Sequence, residues 1–459
     1  MGLQPKVPEV RAALDLIEAY MAEEWQDSKV PGLSAAIVAD RDVIWAKGYG
    51  QADLEKQRPA TAQTVYRLAS ITKLFTATML MQLRDAGKLH LDDPVTAHVP
   101  EFQLPSRFAD ASPPTLGQLV SHTAGLPREA PLDYWDTMRI PPIEALLASL
   151  ANTDRSLPPT TEFKYSNLGI AVLAHALERV AGQPYVPYVA EHILRPLGMG
   201  HSGFDVTLTD VMRERLAQGY RIAKDKPPEV ARYLEEGGMN PVGGLYSSVE
   251  DMVHFISLQF RDGPEGGAQI LRAATLREMH APVFMNPDWK SGVGIGWMLG
   301  RLLDRTTIGH GGGIPGYRTD ITLVPDLKLG VAVFTNSSGD PNKLARSALE
   351  VLLPVAERAR AREEAAQPMS PLPDNWQHYV GHYRLSHEEA EIAFHDGKLV
   401  LLLADQQPRD GTVLLPEGAR RFRMKGGGNT GELVISTVDE AGNVTELRFG
   451  AAVARRAGQ

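Results

Sequence analysis

A chain of 459 residues, 43% hydrophobic and 22% charged, is long enough for two or three domains and has the composition of a soluble globular protein. Its formal net charge of −9 supplies no basic stripe for nucleic acid, and the lack of cysteine removes disulfides, thiolate metal sites and a cysteine nucleophile. No apolar run approaches the roughly eighteen residues of a membrane span and no signal peptide is visible, so the chain as written is expected to be cytoplasmic; a signal already removed would make it periplasmic or secreted.

Apolar side chains at Val10, Ala13, Leu14, Ile17, Met21 and Trp25 recur at helical spacing and predict a helix over 10–27. "GLSAAIVAD" and "VIWAKGYG", on either side of an Arg-Asp break (32–50), predict the two strands of a hairpin. "TKLFTATMLMQLRDAGKL" (72–89) predicts a strongly apolar helix closed by Gly87. Residues 90–240 read as helices and loops rich in Pro and Gly. "TTIGHGGG", "YRTDITLVPD" and "LGVAVFTN" (306–336) then predict consecutive antiparallel strands, and a long helix follows. Strands at both ends with a helical middle imply an α+β domain over 1–360 whose sheet is completed by both halves of the sequence. The charged, Pro-rich stretch 361–375 is expected to be a linker. Over 376–459, short apolar runs between turn residues predict a small all-β barrel or sandwich.

The stretch "LASITKLFTA" (68–77) places Lys73 three residues after Ser70, where the apolar helix begins. That spacing projects both side chains from one face, within hydrogen-bonding reach. A serine hydroxyl becomes a nucleophile when a base takes its proton; a neutral amine can do so, and burial disfavours an ammonium. The helix start adds backbone N–H groups for developing oxyanion charge. Alone, Ser-x-x-Lys is a common accident. "KYSNLG" (164–169) adds Tyr165, which can give or take a proton, and Asn167, which can hold a carbonyl and an amine. The bland alternative is a helix start capped by Ser166 or Asn167. "GHGGGIPGY" (309–317) adds glycines that let a substrate backbone come close, with His310 as a donor over the site; its alternative is a hairpin turn.

In this order and at these separations, Ser70-Ile71-Thr72-Lys73, Tyr165-Ser166-Asn167 and His310-Gly311-Gly312 resemble the serine β-lactamase and penicillin-binding-protein superfamily. The resemblance is to its class C-like branch of β-lactamase-fold esterases, D-aminopeptidases and alkaline D-peptidases. "LGQLVSHTAGLP" (116–127) and "NPVGGLYSSVEDM" (240–252) extend it over about 10–355. It implies a β-lactamase-like antiparallel sheet flanked by helices, a trailing lipocalin-like barrel, and no cofactor. Ser70 would be the acylated nucleophile and Lys73 its base. Tyr165 would share that role and protonate the leaving group, and Asn167 would orient Lys73 and the substrate amide. The backbone N–H groups of Ser70 and Gly313 would form the oxyanion hole, with Gly312 beside them. His310 stands where most β-lactamases carry lysine and would offer a weaker, pH-dependent charge. The expected activity is therefore that of a serine hydrolase acting on small esters, amides or short D-peptides, a carboxylesterase with weak or no β-lactamase activity. A D-aminopeptidase and a penicillin-binding module that acylates without release are the alternatives.

Tyr134 and Trp135, in "APLDYWDTM" (130–138), are candidate substrate contacts or a core plug. Tyr317 and Arg318 are candidates for the mouth of the site, His122 for a structural hydrogen bond, and Gly243 and Gly244 for close packing. No G-x-S-x-G elbow occurs, which sets aside the lipase reading of His-Gly-Gly-Gly (310–313). The histidines of "HEEAEIAFH" (387–395) lack H-E-x-x-H spacing, so no metal is expected. The barrel has no constellation of its own; covering the cleft and self-association into a homo-oligomer are both open to it.

Overall fold

Pro8 in the first turn and the apolar stripe Val10, Ala13, Leu14, Ile17 and Met21 produce helix α1 (Pro8–Ser28), which ends where Lys29 turns left-handed at φ 57°. The structure is a computed structural model that describes residues 3–457 except 225, 264–266, 367–373, 375, 387 and 404–405. β1 (Gly32–Ala39) and β2 (Asp42–Asp53) form the expected hairpin, bordered by β3 (Arg58–Pro59). The sheet resumes far along the chain with β4 (Phe284–Met285), β5 (Gly292–Val293), β6 (Met298–Leu302), β7 (Arg305–Ile314), β8 (Tyr317–Val324) and β9 (Leu329–Thr335). Its order is β3-β2-β1-β9-β8-β7-β6-β5-β4. The two halves of the sequence meet at β1 and β9, antiparallel, with Leu33 opposite Thr335 and Ala39 opposite Leu329.

Strand alternation sends the side chains of β1 to two faces, and both are covered. Leu33, Ala35 and Ile37 share a core with α1 and with Leu349 and Leu352 of the long helix after β9; Ala36 and Val38 share another with Leu74 and Phe255. That is why the strand is apolar at nearly every position. Leu74 belongs to α2 (Thr72–Asp85), which stops short of residue 89 because Gly87 takes φ 70° and returns its N–H to Arg84 O at 2.9 Å. Helix α3 (Asn167–Ala181) and α4 (Val249–Leu258) begin at serine caps, Ser166 Oγ accepting from Gly169 N and Ser248 Oγ from Asp251 N.

The long helix is α5 (Pro341–Ala366). It occupies the first six residues of the expected linker, because "ERARAREEAA" is built of strong helix formers. The rest of that stretch, 367–373 and 375, lies outside the described residues. The chain divides into two compact units, 1–360 and 361–459. In the second, β10 (Gly381–Arg384), β11 (Glu389–His395), β12 (Lys398–Leu403), β13 (Thr412–Gly418), β14 (Arg421–Lys425), β15 (Leu433–Val438), β16 (Val444–Phe449) and β17 (Ala452–Arg456) follow one another around a closed barrel. Closure is made where Tyr383 pairs with Arg456. Tyr383, Ile392, Leu401, Phe422, Val434 and Leu447 belong to its apolar interior. Closure removes both sheet edges, so the fold is the barrel and not the sandwich. Among the described residues no helix is long and apolar enough to cross a membrane.

Candidate active site

Ser70 sits in a single 3-10 turn, Ala69–Ile71, just ahead of α2. Ala69 is held at φ 50°, a left-handed conformation that costs an L-residue about 1 kcal/mol and persists because the surroundings impose it. Thr72 Oγ1 donates to Ala69 O (2.6 Å) and accepts from Leu245 N (3.0 Å). Leu68 N donates to Leu245 O at 2.8 Å, and Thr319 Oγ1, from β8, donates to Leu68 O at 2.9 Å. The turn is pinned from both sides.

Lys73, one helical turn on, is 1% exposed. Its Nζ donates to Ser70 Oγ at 3.0 Å and to Val242 O at 3.1 Å. Thr76 Oγ1, the next position on that face, donates to Pro241 O at 2.6 Å, so α2 grips the 241–242 backbone twice. Nζ lies 5.0 Å from the centre of the Tyr165 ring, which also has the Arg128 guanidinium at 5.0 Å and the His122 ring at 4.4 Å. His122 accepts the Ser166 N–H on Nδ1 at 3.2 Å, the structural bond expected of it; burial first, then Lys73, holds its pKa well below the ordinary value. Serine, lysine and tyrosine thus come together.

The other expected residues divide. Asn167 does not hold Lys73: its Nδ2 donates to Glu129 Oε1 at 2.6 Å, and its Oδ1 is buried without a partner. Val242 O takes the place expected of Asn167. His310 is not the pH-dependent charge or the donor over the site. Its Nδ1 must carry the hydrogen, because its partner at 2.7 Å is the Gly311 carbonyl, and its buried Nε2 is left a bare acceptor. Burial, then the nearby Lys73, pushes its pKa down to about 3, so the ring is neutral throughout the physiological range.

Gly313 lines the cleft beside Ser70, but Gly312 belongs to the packing behind it, because a Cβ there would meet Leu68 O at 2.1 Å and Thr319 Oγ1 at 2.2 Å. Tyr134 is the core plug: it is buried, with its hydroxyl donating to Glu129 Oε2 at 2.7 Å. Trp135, 43% exposed, lines the cleft. Tyr317 is also interior, donating to Ala217 O at 2.7 Å, while exposed Arg318 donates to Ile314 O and Tyr317 O and lies against Gly313. Gly244 packs on Asn240; Gly243 faces the cleft and Glu236.

The cleft encloses about 260 Å³, near the small end for ligand pockets. Ile140, Leu234, Met239 and Ile314 supply the apolar part of its wall. Glu129 and Glu236 also line it, and the sequence reading missed both. Glu236 pairs with buried Arg67 at 3.0 Å, and that guanidinium lies 4.5 Å from the Tyr233 ring centre. Burial, opposed by Arg67 and Lys73, pushes the Glu236 carboxyl up to about 7. A raised acid pKa means the folded state holds the proton more tightly than the unfolded chain does. Glu236 therefore withdraws stability as pH rises from about 4.5 to about 7, by roughly 3 kcal/mol at most. In Glu236→Gln the variant-minus-wild-type stability, measured by urea unfolding, is expected to drift in the variant's favour across that window. A flat difference would remove this assignment.

Among the described residues no group of His, Cys, Asp and Glu could hold a metal ion. Of the two expected non-ligands, His395 pairs with Asp396 at 3.3 Å, and His387 lies outside the described residues.

A family model described as Beta-lactamase matches residues 15–353. The chain belongs to the β-lactamase family. Members of the family are serine hydrolases. Beta-lactamase-like protein 2 of Dictyostelium discoideum is 32% identical over 383 residues, covering 80% of this chain and 67% of that protein. Protein flp of Staphylococcus aureus is 26% identical over 329 residues, 71% of this chain and 63% of its own length. The match thus spans about two thirds of each relative. Among solved structures, the octameric penicillin-binding protein homologue from Pyrococcus abyssi superposes with a TM-score of 0.66 at 26% identity, covering 96% of this chain and 99% of that one.

Proposed function

We propose that this β-lactamase-family protein is a serine acyl hydrolase that cleaves small esters or amides through a Ser70 acyl-enzyme, a carboxylesterase with weak or no β-lactamase activity. The observation that carries the reading is the 3.0 Å contact between Lys73 Nζ and Ser70 Oγ at the base of a cleft. With its amine neutral, Nζ takes the hydroxyl proton as Oγ attacks the carbonyl carbon. The backbone N–H groups of Ser70 and Gly313 receive the developing oxyanion. The bond to the leaving oxygen or nitrogen breaks as Tyr165 supplies it a proton. Water then attacks the acyl carbon, its proton leaves through the same groups, and Oγ is released. The neutral imidazole of His310 supports esters and uncharged amides, since it offers no cation to a lactam or peptide carboxylate. A D-aminopeptidase is the second reading, favoured by the same feature. Self-association belongs to the proposal as well, on the likeness to an octameric homologue.

A serine-reactive fluorophosphonate followed by peptide mass mapping tests the nucleophile, and the expected single tag is on Ser70. On the same protein, a nitrophenyl ester series, D-alanine amide and nitrocefin test the substrate. Esters are expected to exceed nitrocefin by about a hundredfold in kcat/KM, the worth of one lost charge-assisted hydrogen bond. A tag elsewhere, or one burst of product with no further turnover, would overturn the hydrolase reading.

A further inference from the structure

Glu236 lines the cleft on a segment tied to the chain just ahead of Ser70. Arg67, in the short strand Tyr66–Arg67, donates from Nη2 to Leu234 O at 2.7 Å and to Glu236 Oε1 at 3.0 Å. The guanidinium is 2% exposed, 4.5 Å from the centre of the Tyr233 ring and 5.5 Å from that of Tyr246. It is fixed, and the carboxylate is fixed with it. Oε2 is the oxygen left over. A Cβ on Gly243, which also lines the cleft, would meet Oε2 at 3.3 Å, and among the described residues Oε2 accepts no hydrogen bond.

The cleft holds a second pair, Arg128 with Glu129 at 3.7 Å, while His310 is neutral and Lys73 acts as a neutral amine in the reaction proposed above. Two carboxylates thus balance two guanidiniums. Among the described residues Arg67 pairs with no other carboxylate, so a neutral side chain at 236 leaves its cation uncompensated beside the cleft. A charge shielded from water acts on an anion in a cleft more strongly than a surface charge does.

We propose that Glu236 is a specificity-determining residue: as a carboxylate it cancels Arg67 and turns away anionic acyl groups, and as a neutral side chain it admits them. The inference rests on the acyl-hydrolase reading and adds a substrate class to it, esters and amides whose acyl groups carry no negative charge. Anionic acyl groups join that class only in acid. Burial, opposed by Arg67 and Lys73, pushes the Glu236 carboxyl up to about 7, which places the change at neutral pH. The other titratable neighbours do not supply it. Burial first of all raises the Tyr233 and Tyr246 phenols further above their ordinary range, and Glu235, next in the chain, is exposed and pairs with Arg139 at 3.1 Å. Glu129, across the cleft, is tested directly.

The test uses nitrophenyl esters of matched shape: the hydrogen adipate, which carries a carboxylate, and the 6-oxoheptanoate, in which a methyl ketone replaces it. The readout is the adipate-to-ketone ratio of kcat/KM, corrected for uncatalysed hydrolysis, in which the titration of groups acting on both esters alike cancels. The adipate carboxylate stays ionised from about pH 6 to about pH 8. Over that range the wild-type ratio is expected to fall about tenfold, carried mainly by KM, while the 5-(trimethylammonio)pentanoate ester gains on the ketone. Glu236→Gln is expected to hold the ratio near its acid value throughout, and Glu129→Gln to leave the fall in place. Thermal unfolding establishes that each variant is folded, and the wild-type profile needs no variant. A wild-type ratio flat with pH, with Ser70-dependent turnover of the ketone ester, overturns the proposal and leaves the hydrolase reading standing. A fall that survives Glu236→Gln or disappears in Glu129→Gln, or an adipate ester inert even to Glu236→Gln, does the same. Without Ser70-dependent turnover of any of the esters, both readings fail.

Discussion

Replacing Ser70 with alanine, or Lys73 with methionine, is expected to lower kcat/KM on a nitrophenyl ester by about 10⁴-fold each, with the double variant no slower than either single one. The two groups stand 3.0 Å apart and in the proposed reaction act as one device, so removing either half would remove the whole. Methionine matches the lysine stem in volume and suits a site that is 1% exposed. It gives up the bonds to Ser70 Oγ and Val242 O but also ends the burial of an amine, and loss of such a group is often tolerated when the replacement packs. The melting temperature is therefore expected to change little while turnover collapses. Lys73→Arg is expected to fail as fully, because a guanidinium does not give up its proton in this pH range. A Lys73→Met variant within tenfold of wild type would mean that another group takes the Ser70 proton.

What could be seen in the sequence was what depends on short spacing. The Ser70–Lys73 pair follows from three residues of helix, and the all-apolar run of β1 follows from burial of both its faces. What could not be seen depends on partners far along the chain. Glu236 sits in an unremarkable Glu-Glu-Gly-Gly stretch, and only Arg67, 169 residues away, brings it into the cleft as a buried ion pair. Glu129 follows an arginine like many surface glutamates, yet Tyr134 and Asn167 both point their donors at it. A small signal existed there: a carboxylate two residues past the "HTAGLP" segment, with Asn167 already suspected and in need of a partner. Tyr134 and Trp135 are neighbours with opposite fates, one interior and one at the cleft, because successive side chains of a loop need not share a side. For His310 the residue was visible but its charge was not. Packing drives that ring neutral, and packing is a property of the fold.

Gly312→Ala is expected to destabilise the domain by about 3 kcal/mol and to reduce kcat by about a hundredfold, whereas Gly311→Ala, one residue earlier on β7, is expected to change stability by less than about 1 kcal/mol. The contrast comes from what a single methyl group would meet. At Gly311 its nearest neighbours are Asp320 Oδ2 and Thr319 O, both at 3.7 Å, an ordinary contact. At Gly312 they are Leu68 O at 2.1 Å and Thr319 Oγ1 at 2.2 Å, and the first is backbone that cannot step aside cheaply. Leu68 O is also the acceptor for Thr319 Oγ1, so the methyl group would push apart the bond that ties β8 to the turn carrying Ser70. That carbonyl immediately precedes Ala69, whose φ of 50° is sustained by these neighbours. A shift of about 1 Å there would move Ser70 Oγ relative to both Lys73 Nζ and the Gly313 N–H, enough to cost two orders of magnitude in rate. Urea unfolding and ester kinetics on the two alanine variants separate the effects. If Gly312→Ala loses stability but keeps wild-type kcat, the strand supports the fold without aligning the serine; if it loses neither, the close approach of β7 to Leu68 does not exist in solution.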